Sequence, residues 1–153
     1  MNDLLWSAIL SMTPVGELRA GIPFAIAKGV NPWLALIVCV IANVVIVPII
    51  FIFLEFIHYR FLHIHMYRSA FDRFMERTRT KVHPFIEKYG MFGLALFVAV
   101  PFPLTGVYTA SLAAWFFGMD KWKAFLAILV GAVIAGLIVL GVSVGGMKLF
   151  SVI

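Results

Sequence analysis

The chain has 153 residues, 63% of them hydrophobic and 12% charged, with a mean hydropathy of +1.07 and a formal net charge of +5. Soluble globular domains carry about twice that charged fraction, which excludes an ordinary water-soluble domain or nucleic-acid binder and makes the basic residues markers of membrane topology. The single cysteine, Cys39, allows no intrachain disulfide.

The first apolar stretch, residues 4–29, is long enough to cross a bilayer, but TPVGELRAGIP interrupts it with Pro14, Gly16, Gly21 and Pro23. The same interruption carries Glu17 and Arg19 into hydrocarbon, where a central charge costs roughly 2.5–3.5 kcal/mol on insertion scales. Asn31 and Pro32 then read as the N-cap and first position of a helix. Its apolar run, residues 33–54, contains no charge and spans the membrane. Trp33 marks its interfacial start. Asn43 and Pro48 interrupt it; for Asn43 an interhelical hydrogen bond is expected, with a place along a pathway as the other reading. Glu55 falls near the helix end, within reach of the interface.

Seven of the twelve Lys and Arg residues follow between 58 and 88: Arg60, Arg68, Arg73, Arg77, Arg79, Lys81 and Lys88. The positive-inside bias places this segment in the cytoplasm. Ile64, Tyr67, Phe71, Phe74 and Val82 recur as on an amphipathic helix lying on anionic headgroups, and a solvated connector is the other reading. All four histidines lie here. The His63–His65 pair lacks the accompanying ligands of a metal site, so no metal or cofactor is expected.

A second broken stretch, residues 90–118, is interrupted at PFPLTGVYT by Pro101, Pro103 and Gly106. Thr105, Tyr108, Thr109 and Ser111 supply hydroxyls there, which either serve a site or satisfy the turn itself. Asp120 and Trp122 repeat the cap and anchor ahead of the uncharged run 124–147. Gly141 to Gly145 is a step suited to close helix contact.

Pieces of eight to eleven residues on either side of a break reach about halfway across a bilayer and predict re-entrant hairpins. Shifting the sequence by 89 residues lays Pro14 on Pro103, Ala25 on Ala114, Gly29 on Gly118, Trp33 on Trp122 and Ala35 on Ala124, with Asn31 on Asp120. The chain therefore reads as a single all-α membrane domain, 1–153. Its two inverted repeats, 4–57 and 90–147, each comprise a broken hairpin plus a transmembrane helix, joined by the basic connector 58–88. Re-entrant hairpins put nine basic residues inside, against Lys28 and Lys148 outside, whereas four full spans put eight inside and three outside. Inverted repeats are the expectation, with both termini outside.

PVGELRAGIPFAIAKG and VPFPLTGVYTASLAAWFFG together resemble the small multidrug export protein family. Pro14, Glu17, Leu18, Arg19, Ile22, Pro23 and Gly29 fit its first element, and Pro101, Pro103, Thr105 and Gly106 its second. More distantly, the paired hairpins are similar to the DedA, or SNARE-associated, membrane protein superfamily. The resemblance implies a multi-pass transporter of the cytoplasmic membrane, and because no nucleophile–base arrangement or metal set is visible in the sequence, no enzyme is expected. It also implies a small amphiphilic or anionic substrate, lipid contacts, and an assembly for which a homodimer is one option.

Intramembrane ionisable residues are usually functional. The expected site at the hairpin tips comprises Pro14, Glu17, Arg19, Pro23, Pro103, Thr105, Gly106, Tyr108 and Thr109. In it Glu17 is the proton-titrating group and Arg19 the holder of an anion. Two alternatives stay open: translocation of a lipid-phosphate carrier, and an assembly or stability factor in which the pair only pins the hairpins together.

Overall fold

The computed structural model describes residues 2–57, 88–100 and 106–150, and scattered positions between 69 and 86; it is all-helical, with no strand among the described residues. The basic connector falls largely outside them, as do its histidine pair and amphipathic pattern. Helix α1 (Asn2–Ser11) and helix α2 (Glu17–Ala27) are about 15 and 17 Å long at 1.5 Å per residue, roughly half a hydrocarbon core each. Thr13 builds the turn between them. Its Oγ1 donates to the Leu10 carbonyl at 2.7 Å and accepts from the Gly16 N–H at 3.2 Å, serving one orphaned group at each helix end.

The interruption is confined to Met12–Gly16, a correction to the expectation that Gly21 and Pro23 also break the chain. Both lie within α2. Gly21 is required by proximity, because a Cβ there would overlap Ser11 Oγ of α1 and stand 3.1 Å from Cys39 Sγ of the next helix. The hydroxyls of Ser7 and Ser11 donate to the carbonyls of Leu4 and Ser7, so this contact is buried without loose polar atoms. Pro23 sits half-buried in the helix, where it removes one backbone donor without ending the element.

Helix α2 ends on Gly29 at φ 80°, with Gly29 N–H bonded to Ile26 O and Val30 N–H to Ala25 O. This is a Schellman stop. Asn31 Oδ1 then accepts from the N–H groups of Trp33 and Leu34, and helix α3 (Pro32–Ile52) runs past Pro48 into a π-helical turn, Phe53–Ile57.

The same order recurs in helix α4 (Met91–Ala99), helix α5 (Val107–Phe116) and helix α6 (Lys121–Phe150). The α5 stop repeats the α2 stop, with Gly118 at φ 63° bonded to Trp115 O and Met119 N–H to Ala114 O. Asp120 accepts from Lys123 N–H as the following cap. An 89-residue shift carries the starts of α1 and α3 onto those of α4 and α6, and that of α2 to within one residue of α5. Of the described helices, Pro32–Phe56 and Lys121–Gly146 are long and apolar enough to cross a membrane. Trp33 and Trp122 are exposed at their starts, as interfacial anchors should be.

Helices α3 and α6 pack side by side and run antiparallel. Gly136 lies against Leu36 and Val40, while Lys121, at the start of α6, is ion-paired with Glu55 beyond the end of α3. The expected glycine contact is corrected as well. Gly141 and Gly145 meet nothing within 4 Å, whereas Gly131 lies 2.5 Å, measured from an added Cβ, from the Ala95 carbonyl of α4. Which glycines are used depends on where the short helices reach, and α4 ends opposite residue 131 rather than 141.

Candidate functional site

The two breaks meet. Gly106, at the start of α5, lies directly against the Glu17 carboxylate, and a Cβ at position 106 would overlap its oxygens. The φ of Gly106 is 177°, extended backbone open to any residue, so the glycine is demanded by the neighbouring carboxylate. The backbone amides of Tyr108 and Val107 supply N–H groups toward the same carboxylate. Glu17 thus stands at the N-terminus of a helix from the other half of the chain, where a negative charge is favoured.

Arg19 does the opposite job. Its Nη2 donates to the carbonyl of Val100, 3.4 Å away, at the C-terminal end of α4. A positive charge is favoured there. The second hairpin answers through Tyr108, whose hydroxyl donates to the Met12 carbonyl at the end of α1. Arg19 and Tyr108 are 89 residues apart in the chain, as are Glu17 and Gly106. Each hairpin therefore supplies a side chain that bonds a carbonyl at the broken helix end of the other.

Glu17 is 8% exposed and has φ 47°, the only non-glycine positive φ among the described residues. For an L-residue the left-handed region costs roughly 1–2 kcal/mol. A buried carboxylate held in that region is an outlier from which a functional hypothesis can run. Arg19, whose charge acts on Glu17, is only partly buried.

Of the residues expected at the site, Glu17, Arg19, Gly106 and Tyr108 come together. Thr109 is buried in the first turn of α5, and Ser111 is buried with its hydroxyl bonded to the Val107 carbonyl at 2.7 Å, a bond internal to the helix. Pro14 is exposed in the first turn, and Pro23 lies within α2. Pro103 and Thr105 lie outside the described residues. Sequence reasoning missed Thr13, whose signal was a hydroxyl three residues before the glycine that opens α2. It also missed the backbone carbonyls of Met12 and Val100, which no side-chain motif can announce. Asn43 is a correction. It is 1% exposed, and among the described residues neither atom of its amide has a hydrogen-bond partner, so the expected interhelical bond is not made there. The described residues hold no group of three potential metal ligands.

No curated protein and no solved structure matches the chain. A family model described as "Putative small multi-drug export protein" matches residues 17–138, beginning at Glu17 itself and running through both breaks into the last helix. With four-fifths of its length covered by that match, the chain belongs to the small multidrug export protein family.

Proposed function

We propose that the protein is a secondary transporter of the cytoplasmic membrane that exports small amphiphilic solutes and uses protonation of Glu17 as its coupling step. The family's description is that of an exporter and not of an enzyme class. The observation that carries the reading is the contact between the buried Glu17 carboxylate and the α5 N-terminus at Gly106. An ionised Glu17 holds that helix end; a protonated one no longer offers it a charge. Arg19, charged at any working pH, keeps hold of Val100 or passes to an anionic group of the cargo. Alternate release of the two tips would open the path on either side.

The architecture in this reading is a pair of inverted repeats with re-entrant hairpins. Support comes from the half-length helices, the 89-residue recurrence of their starts and the antiparallel packing of α3 on α6. Sites of transporters with inverted repeats lie where broken helices meet near the midplane.

The test is efflux from proteoliposomes containing only this protein, with ethidium as the probe and an imposed proton gradient. Glu17→Gln protein, inserted and folded, should lose the pH dependence of efflux or efflux itself. Wild-type efflux across the pH range would remove Glu17 from the mechanism. In the second reading the charges only fasten the hairpins, which the cross-contacts also favour. Glu17→Gln then lowers folded yield and leaves the pH profile of the surviving protein unchanged.

A further inference from the structure

Asn43 is an amide buried in the middle of α3, with no hydrogen-bond partner among the described residues. An Asn side chain offers two donors and one acceptor. Leaving such a group buried and unpaired is destabilising. Replacing it by an apolar residue of similar size would remove that cost, so packing alone gives no reason for it.

Its position is informative. Helices α2 and α3 are joined by a short connection and packed antiparallel, with Gly21 against Cys39. Four residues back along α2 from Gly21 is Glu17, and four residues on along α3 from Cys39 is Asn43. Both steps advance about 6 Å in the same direction. Asn43 therefore stands at the depth of Glu17. Around α3, at about 100° per residue, it points between Cys39 and Val40. Cys39 faces the Ser7 carbonyl and Gly21, and Val40 faces Gly136 of α6. Asn43 is thus aimed at the centre of the molecule, between the first hairpin and α6, level with the hairpin tips.

We propose that Asn43 is a third element of the solute path, taking a neutral hydrogen-bonding group of the cargo (an amine, amide or hydroxyl) and water when the path is empty. The proposal rests on the transporter reading above, but not on Glu17 being its proton carrier. It gives the site a group that selects for polarity without charge, beside one carboxylate and one guanidinium.

The experiment is thiol accessibility. Asn43→Cys in a Cys39→Ser background is treated with a membrane-impermeant methanethiosulfonate in vesicles. Val98→Cys serves as the sealed control, since Val98 is equally buried and packs against Gly131. A thiol in a wetted path ionises and reacts, whereas one buried in apolar surroundings is inert. Labelling at position 43 should be at least about tenfold faster than at 98. Equal, slow labelling at both would overturn the proposal and leave the Glu17 reading standing. A second arm uses Asn43→Leu, which should melt at a higher temperature in detergent while losing ethidium efflux. A higher melting temperature with unchanged ethidium efflux would make Asn43 a packing defect and overturn the proposal equally. The labelling arm decides even where ethidium is not carried.

Discussion

The first hairpin carries Glu17 and Arg19 through its turn, whereas the second passes PFPLTGVYT with no charged residue, yet both are built from helices of nine to eleven residues in the same order. The second hairpin supplies backbone: the N–H groups of Val107 and Tyr108, the carbonyl of Val100 and the space left by Gly106. One hairpin holds the charges and the other holds the dipole ends that receive them. The asymmetry explains why only one copy needs ionisable groups. It also explains why residue 106 is glycine where residue 17 is glutamate, since two side chains cannot occupy one contact.

The largest break of this pairing is Gly106→Ala. Its methyl would enter the Glu17 carboxylate, with a loss at the upper end of the about 1–3 kcal/mol typical of overpacking. Thermal melting in detergent should show it, and adding Glu17→Ala should restore folded yield but not efflux. A Gly106→Ala protein as stable as wild type would mean the two hairpins do not meet there. Next in size, Arg19→Ala removes a charged donor from the end of α4, worth about 1.5–2 kcal/mol. Arg19→Lys should recover stability only in part, because the planar fork is lost.

Tyr108→Phe sharpens the comparison from the other side. It deletes only the hydroxyl that reaches Met12, so about 1 kcal/mol should be lost with the pH profile of efflux kept. A change in that profile would make Tyr108 part of the coupling step. The smallest effect is expected from Lys121→Ala. Lys121 and Glu55 are 55% and 42% exposed, and exposed pairs contribute well under about 1 kcal/mol. Their value is topological. Glu55→Cys with Lys121→Cys, in a Cys39→Ser background, should crosslink readily. No crosslink, together with labelling of position 119 from outside and of position 70 from inside, would return the chain to four full spans.

Much of this was legible in the sequence. Uncharged runs gave α3 and α6, and Asn31 and Asp120 gave their starts; Gly29 and Gly118 recurred at the 89-residue spacing, but that they stop the helices before them is visible only in the fold. Proline and glycine content also located the breaks, but not their extent. Gly21 looks like a hinge in the sequence and is a packing contact in the fold, because the same missing Cβ serves both purposes. Gly141 and Gly145 were indistinguishable from Gly131 and Gly136 for a related reason: which face of α6 is covered depends on helices distant in the chain. Within the site, Glu17 and Arg19 stood out because charge in hydrocarbon is rare. Their partners were invisible, being backbone groups exposed only by where another helix happens to end. Asn43 stood out as well, but the interhelical hydrogen bond expected of it is not made among the described residues.

The cross-hairpin bonds also set an order of events during biosynthesis. Arg19 is separated from Val100 by 81 residues, and Met12 from Tyr108 by 96. At about 5–20 residues per second, the partner of Arg19 is made roughly 4–16 s after Arg19 itself. For that interval the nascent chain holds a charged helical hairpin beside α3 with its complement still unmade. The insertion machinery must shelter it from lipid until the second hairpin arrives, so a stall between residues 60 and 90 should expose the chain to membrane proteolysis more than a stall after residue 120.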